Sequence, residues 1–165
     1  MATVQQTKRS GDGNQRTPIS TLDRSIIDAL QRDGRRPYTQ IAADLGVSES
    51  TIRQHTERLI ERGVLQVVGV TDPLRLGYDQ MAMVGVRCES ERLLGVADEI
   101  ALLPEVTYVV VTAGKYDLLV ETVCRDNAEL LFFLADKLRR IQGVVSTETF
   151  VYLRITKQTF HWSSR

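Results

Sequence analysis

The stretch Thr39-Gln40-Ile41-Ala42-Ala43-Asp44-Leu45-Gly46-Val47-Ser48-Glu49-Ser50-Thr51-Ile52-Arg53 sets two short helical patterns on either side of a glycine. A helix-turn-helix needs small residues where its two helices cross, here Ala42 and Ala43. It needs a turn residue that accepts positive φ, here Gly46, and apolar residues seven apart to set the angle, here Ile52 and Leu59. Ser48 is the expected cap of the second helix. Around that helix Ser50, Thr51 and Gln54 point outward, flanked by Arg53 and Arg58. Such hydroxyl, amide and guanidinium groups hydrogen-bond base edges and phosphates. Ser48, Ser50, Thr51, Arg53, Gln54 and Arg58 are therefore the candidate DNA-binding residues. An ordinary three-helix protein-binding domain would share the helical pattern, but the glycine turn and the β-rich segment that follows favour DNA.

Upstream, Thr21 is the expected cap of a helix carrying Leu22, Ile26, Ile27 and Leu30, stopped at Gly34. Residues 1–19 are polar and aperiodic and read as a disordered tail. Gly11-Asp12-Gly13 within them is not a phosphate loop, since no strand precedes it and no Gly-Lys-Ser/Thr follows. Downstream, Gly63 ends the third helix, and Val64–Val70 reads as a wing or a linking strand. Asp72-Pro73 and Gly77 mark a boundary.

The second half alternates between patterns. Ala82, Val84, Val86 and Cys88 alternate as a strand, and Ser90 is placed to cap a helix carrying Leu93, Val96, Ala97, Ile100 and Leu103. Val106–Thr112 and Leu118–Cys124 read as strands joined by the turn Ala113–Asp117. A helix from Asp126 or Asn127 carries Leu130, Leu131, Leu134, Leu138 and Ile141 to Gly143, and Val144–Ile155 is the last strand. The order β-α-β-β-α-β is that of a ferredoxin-like split βαβ fold. Two helices cover one sheet face. The other face, assigned to Val109, Val111, Val120 or their neighbours, needs a cover, and a second subunit is the simplest one.

The predicted fold class is thus α+β: an N-terminal winged helix-turn-helix and a C-terminal ferredoxin-like domain. The expected divisions are a tail at 1–19, a DNA-binding domain at 20–65, a linking strand at 66–78, an assembly domain at 79–157 and a C-terminal tail at 158–165. In that last tail Phe160 and Trp162 are expected to pack on the protein's own surface.

Charge tempers the DNA reading. Lysines and arginines balance aspartates and glutamates at 21 each. Segment by segment the net charge is +2 over 1–19, zero over 20–65 and −2 over 66–165. The phosphate term scales with local cations, so one copy should bind weakly and several linked copies recover affinity by avidity. No apolar run approaches the ~20 residues of a membrane span, and the polar beginning lacks a secretory apolar region. A cytoplasmic, nucleoid-associated protein is expected. Cys88 and Cys124 lie in apolar, strand-like stretches without ligand spacing and should be buried and reduced. His55 and His161 do not suggest a metal or catalytic pair, so no metal, cofactor or catalytic residue is expected.

Over residues 20–157 the chain resembles the Lrp/AsnC family, the feast/famine regulators of bacteria and archaea. The matching residues begin with Leu22-Asp23, Ile26-Ile27 and Asp33-Gly34-Arg35. They continue through Ile41-Ala42, Leu45-Gly46-Val47-Ser48 and Arg58-Leu59-Ile60-Glu61-Arg62-Gly63-Val64-Leu65 to Gly114-Lys115-Tyr116-Asp117-Leu118-Leu119, Gly143-Val144 and Thr147-Glu148-Thr149. Their order and spacing carry the resemblance. His55 departs from it, standing where the family has a basic residue, and so does Thr56, standing where it has a branched apolar one.

The resemblance implies a RAM-type second domain and a dimer assembling into a tetramer or octamer on double-stranded DNA. It also implies an amino-acid-like effector held between subunits. By that analogy Gly114, Tyr116, Asp117, Thr147 and Thr149 are the effector candidates, with Asp117 suited to an ammonium and Lys115 turned to solvent. A plain hairpin turn is the alternative reading of the loop. Two rivals differ in class. An architectural DNA-binding protein would need no effector. Sirohaem decarboxylases share the two-part architecture but resemble a form whose loop is rich in histidine and arginine, whereas here it reads Gly-Lys-Tyr-Asp.

Overall fold

A computed structural model describes residues 18–159. The tail readings at 1–17 and 160–165, including Phe160, His161 and Trp162, lie outside the described residues. The chain divides into two compact units, one reaching Gly69 and the other spanning Val70–Lys157.

The first unit is three helices: α1 (Thr21–Arg32), α2 (Tyr38–Leu45) and α3 (Glu49–Glu61). Ile26, Leu30, Ile41, Ala42, Ile52, Leu59 and Leu65 close its core. The cap of α1 is Ser20, not Thr21. Ser20 accepts the Asp23 backbone N–H while Asp23 accepts the Ser20 N–H, a reciprocal capping box. Of the two alanines expected at the helix crossing only Ala42 is buried; Ala43 is exposed. Among the described residues no wing or linking strand forms. Residues 65–72 carry no regular secondary structure, and Val67, Val68 and Val70 are exposed. β-branched residues favour a strand only where a partner edge accepts their hydrogen bonds.

The second unit contains β1 (Gln80–Cys88), α4 (Leu93–Ala101), β2 (Val106–Val111), β3 (Leu118–Cys124), α5 (Asn127–Phe132) and β4 (Val144–Val151). The sheet is antiparallel in the order β2-β3-β1-β4. This is the ferredoxin-like arrangement the element order implied. Ser90 does not cap α4; it opens a 3₁₀ turn, Ser90–Arg92, before the helix. After α5 the chain widens to a π turn at Phe133–Lys137 and tightens to a 3₁₀ turn at Leu138–Arg140. β4 stops at Val151 rather than Ile155.

Direct partners across antiparallel strands share a face. Ala82, Val84, Val86, Leu118, Val120 and Val109 therefore meet the helices, packed with Val96, Ile100, Leu130, Phe133 and Leu138. The face without helices carries their neighbours instead: Met83, Gly85, Tyr108, Val110, Leu119 and Phe150, with Tyr108 52 % and Phe150 46 % exposed. Val109, Val111 and Val120 lie on the helix side.

Candidate functional site

Two places collect the polar residues singled out by sequence. The first is α3. Ala42 and Gly46 set the turn, with Gly46 at φ 66 and its N–H bonded to the Ala42 carbonyl. Ser48 caps α3 by accepting the Thr51 N–H at 3.1 Å. Its hydroxyl also meets those of Ser50 and Thr51, each at 2.8 Å, so three candidate hydroxyls form one cluster at the helix entrance. One face of α3, Ile52, Thr56 and Leu59, is buried; Arg53, Gln54, Glu57 and Arg58 are exposed. Arg53 is held by Glu49 at 2.9 Å and lies over the Tyr38 ring at 5.4 Å.

Both departures in α3 are accommodated. Thr56 is buried and its hydroxyl donates to the Ile52 carbonyl at 2.8 Å, so no polar group is stranded. His55 reaches α1, with Nδ1 2.7 Å from Asp23 Oδ1, while Arg58 Nη2 lies 3.0 Å from the same Nδ1. Asp23 is only 4 % exposed. Burial alone would raise its pKa, but the bonds from His55 and Ser20 overcome that and hold it at about 2.

The second place is the loop joining β2 to β3. Thr112 donates its hydroxyl to the Tyr116 carbonyl at 2.6 Å and its N–H to the Asp117 carbonyl at 2.8 Å. The Tyr116 ring lies flat over Gly85: a Cβ there would sit 2.6 Å from it. The Tyr116 hydroxyl donates to Glu148, which also takes Lys115 at 2.7 Å, and the ring meets Phe150 edge-on at 6.2 Å. Lys115 is exposed but paired with Glu148 rather than free. The Glu148 carboxyl is held below the usual carboxylate range by the bonds from Lys115 and Tyr116.

Asp117 spends one carboxylate oxygen on the Cys88 N–H at 2.8 Å, and its own N–H donates to Val86 at 3.0 Å. Gly114 is exposed at the loop tip. Thr147 and Thr149 stand opposite Val86 and Val84, on the helix side of β4, and Thr147 takes the Arg139 guanidinium at 3.1 Å. Within one chain, Tyr116 and the two threonines thus lie on opposite sides of the sheet. Both cysteines are free; Cys124 is buried and Cys88 half-buried, and burial raises both thiol pKa values. Among the described residues no His, Cys, Asp and Glu side chains group as metal ligands, and no helix is long and apolar enough to cross a membrane.

A family model described as the AsnC-type helix-turn-helix domain matches residues 19–60, and one described as the Lrp/AsnC ligand binding domain matches residues 81–162. The chain is 35 % identical over 145 residues to the HTH-type transcriptional regulator FL11 of Pyrococcus horikoshii, covering 87 % of this chain and 95 % of that one. An uncharacterised HTH-type transcriptional regulator of Pyrococcus abyssi is 32 % identical over 145 residues, covering 87 % and 92 %. Among solved structures, AsnC of E. coli superposes with TM-score 0.77 at 29 % identity, covering 86 % of this chain and 97 % of that one. A transcriptional regulator of Neisseria meningitidis solved in complex with L-Met shares the fold at TM-score 0.77 and 20 % identity, covering 87 % and 95 %.

Proposed function

The chain belongs to the Lrp/AsnC family of helix-turn-helix transcriptional regulators, and from that premise we propose how it reads DNA, assembles and responds. Two or more copies of α3 enter successive major grooves, with Ser48, Ser50, Thr51, Arg53, Gln54 and Arg58 as the contacting set. The division into a DNA-binding part at 20–65, a connector at 66–78 and an assembly part at 79–157 serves that arrangement. The observation that carries the reading is the two-sided α3: Ile52, Thr56 and Leu59 buried, Arg53, Gln54 and Arg58 exposed. Gln54→Ala should weaken binding to a selected operator by ~1–3 kcal/mol and relax one base position, and Arg53→Ala should cost a similar amount. Gel shifts in which both variants match wild type would remove the assignment.

Assembly uses the sheet face that bears Met83, Tyr108, Leu119 and Phe150, covered by a second copy, with dimers joining into a tetramer or octamer. The protein works in the cytoplasm on the nucleoid and catalyses no reaction. An amino-acid-like effector binds between subunits beside Gly114, Tyr116 and Asp117, with Thr147 and Thr149 contributed from a neighbouring copy. The Neisseria relative's complex with L-Met supports the ligand class. A thermal-shift screen of the twenty amino acids tests this reading: a family member that senses one is stabilised by it, and an architectural protein by none.

Asp117 carries two duties in this scheme, so Asp117→Ala has two expected effects. Loss of a charged acceptor for Cys88 N–H should cost ~1–3 kcal/mol in melting, and the response to the effector should vanish while DNA binding persists. A variant with wild-type melting and wild-type ligand affinity refutes both.

A further inference from the structure

Tyr38 opens α2 and is half-buried, its ring packed against the helical core. The Arg53 guanidinium from α3 lies over that ring, its Cζ 5.4 Å from the centroid. One nitrogen of the same guanidinium, Nη2, donates to Glu49 Oε1 at 2.9 Å, one turn earlier on α3. Arg53 is thus held at two points, one on each helix of the turn, while its side chain remains 55 % exposed.

The two holds differ in what they consume. Glu49 takes an N–H, the kind of group that a base edge or a phosphate needs, so Glu49 and DNA compete for it. The ring attracts the cation through its electron-rich face and consumes no donor. Among the described residues the other N–H groups of Arg53 meet no acceptor. The Tyr38 contact is therefore the one that persists once Glu49 has been displaced. An unheld arginine has several rotatable bonds to order on the duplex, and a stacked one has given up much of that freedom beforehand. The Tyr38 hydroxyl makes no hydrogen bond among the described residues, so the ring alone does the holding.

We propose that Tyr38 is a positioning residue for DNA recognition: its ring sets the Arg53 guanidinium before binding and keeps it in place while DNA takes over from Glu49. The inference rests on Arg53 being a DNA contact of α3, and Tyr38 itself touches no DNA in this mode.

The test measures anisotropy of a labelled duplex, selected by the wild-type protein from a random-sequence library, with wild type, Tyr38→Leu, Arg53→Ala and the double variant. Tyr38→Leu keeps an apolar side chain against the core and removes the ring. It should weaken binding about two- to fivefold, the range of an exposed cation–π contact. That loss should vanish when Arg53 is already alanine, because the ring then has nothing to hold. A purely packing role would weaken both backgrounds alike. Tyr38→Phe, which keeps the ring, should bind like wild type. Melting reports whether each variant is folded. Should Tyr38→Leu fail to fold, pentafluorophenylalanine in place of Tyr38, similar in shape but with its quadrupole reversed, should show the same loss. No loss on removing the ring, a loss that persists in full beside Arg53→Ala, or a Tyr38→Phe variant as weak as Tyr38→Leu overturns the proposal alone. An Arg53→Ala variant that binds like wild type, or a wild-type protein that selects no duplex, overturns the DNA contact assigned to Arg53 and the proposal with it.

Discussion

Ile52→Ala is expected to abolish DNA binding by melting the helix-turn-helix while the four-stranded sheet stays folded. Ile52 is fully buried in a small core formed by Ile26, Ala29, Leu30, Ile41, Ala42, Leu59 and Leu65, with partly buried neighbours such as Leu22, Leu45 and Val47 packed against it. Truncating a buried isoleucine to alanine costs ~2–5 kcal/mol, part transfer and part cavity. A unit of this size draws only ~3–5 kcal/mol from its core, so the loss is comparable to everything holding α3 in place. Ile52 touches no DNA in the proposed mode, so the loss of binding would come from packing alone. Calorimetry should show one transition lowered and another near its wild-type temperature, with no gel shift. A wild-type melt with intact binding contradicts the assignment of Ile52 to the core.

The second large effect is expected at Gly85→Val. The position is closed to a side chain by contact rather than by conformation, since the Tyr116 ring occupies the space where a Cβ would stand. Valine must push that ring off β1, which breaks the Tyr116 hydroxyl bond to Glu148 and its edge contact with Phe150. Overpacking of this kind costs ~1–3 kcal/mol. The displaced ring would also stand proud of the face proposed to receive a second copy. Sedimentation should find Gly85→Val monomeric at concentrations where wild type is assembled. An assembled variant would move the subunit contact off this face.

How far the residues disclosed all this depends on the range of each interaction. The three helices follow from Leu22, Ile26, Leu30, Ile41, Ile52 and Leu59, because a 3.6-residue period is written locally. Ser48 and Gly46 were legible as cap and turn for the same reason. Ser20 and Thr21 both suit a cap; the signal that separates them is Asp23, three residues after Ser20, which completes a capping box. Val64–Val70 has strand composition, yet composition does not supply a partner edge, and among the described residues no strand forms there. The sheet faces were ambiguous by one residue because alternation alone does not say which set the helices cover. The contacts that matter most at the sites span 32 residues from Asp23 to His55 and 29 from Cys88 to Asp117. No local pattern announces either. In the sequence His55 stands out as a departure from a basic residue, which points to a position without revealing its partner.

In the proposed binding mode, the pairing of Arg53 with Glu49 would make the recognition helix an ion exchanger already loaded with its own counterion. An arginine passed from a carboxylate to a phosphate frees a cation condensed on the duplex, but it leaves behind a carboxylate that recruits one from solution. The two movements cancel in part, so the net release per contact falls below the ~0.9 ions of an unencumbered cation. Under that mode the protein would trade raw electrostatic adhesion for tolerance of changing salt, and its discrimination among sequences would rest correspondingly more on the base-edge groups proposed on α3.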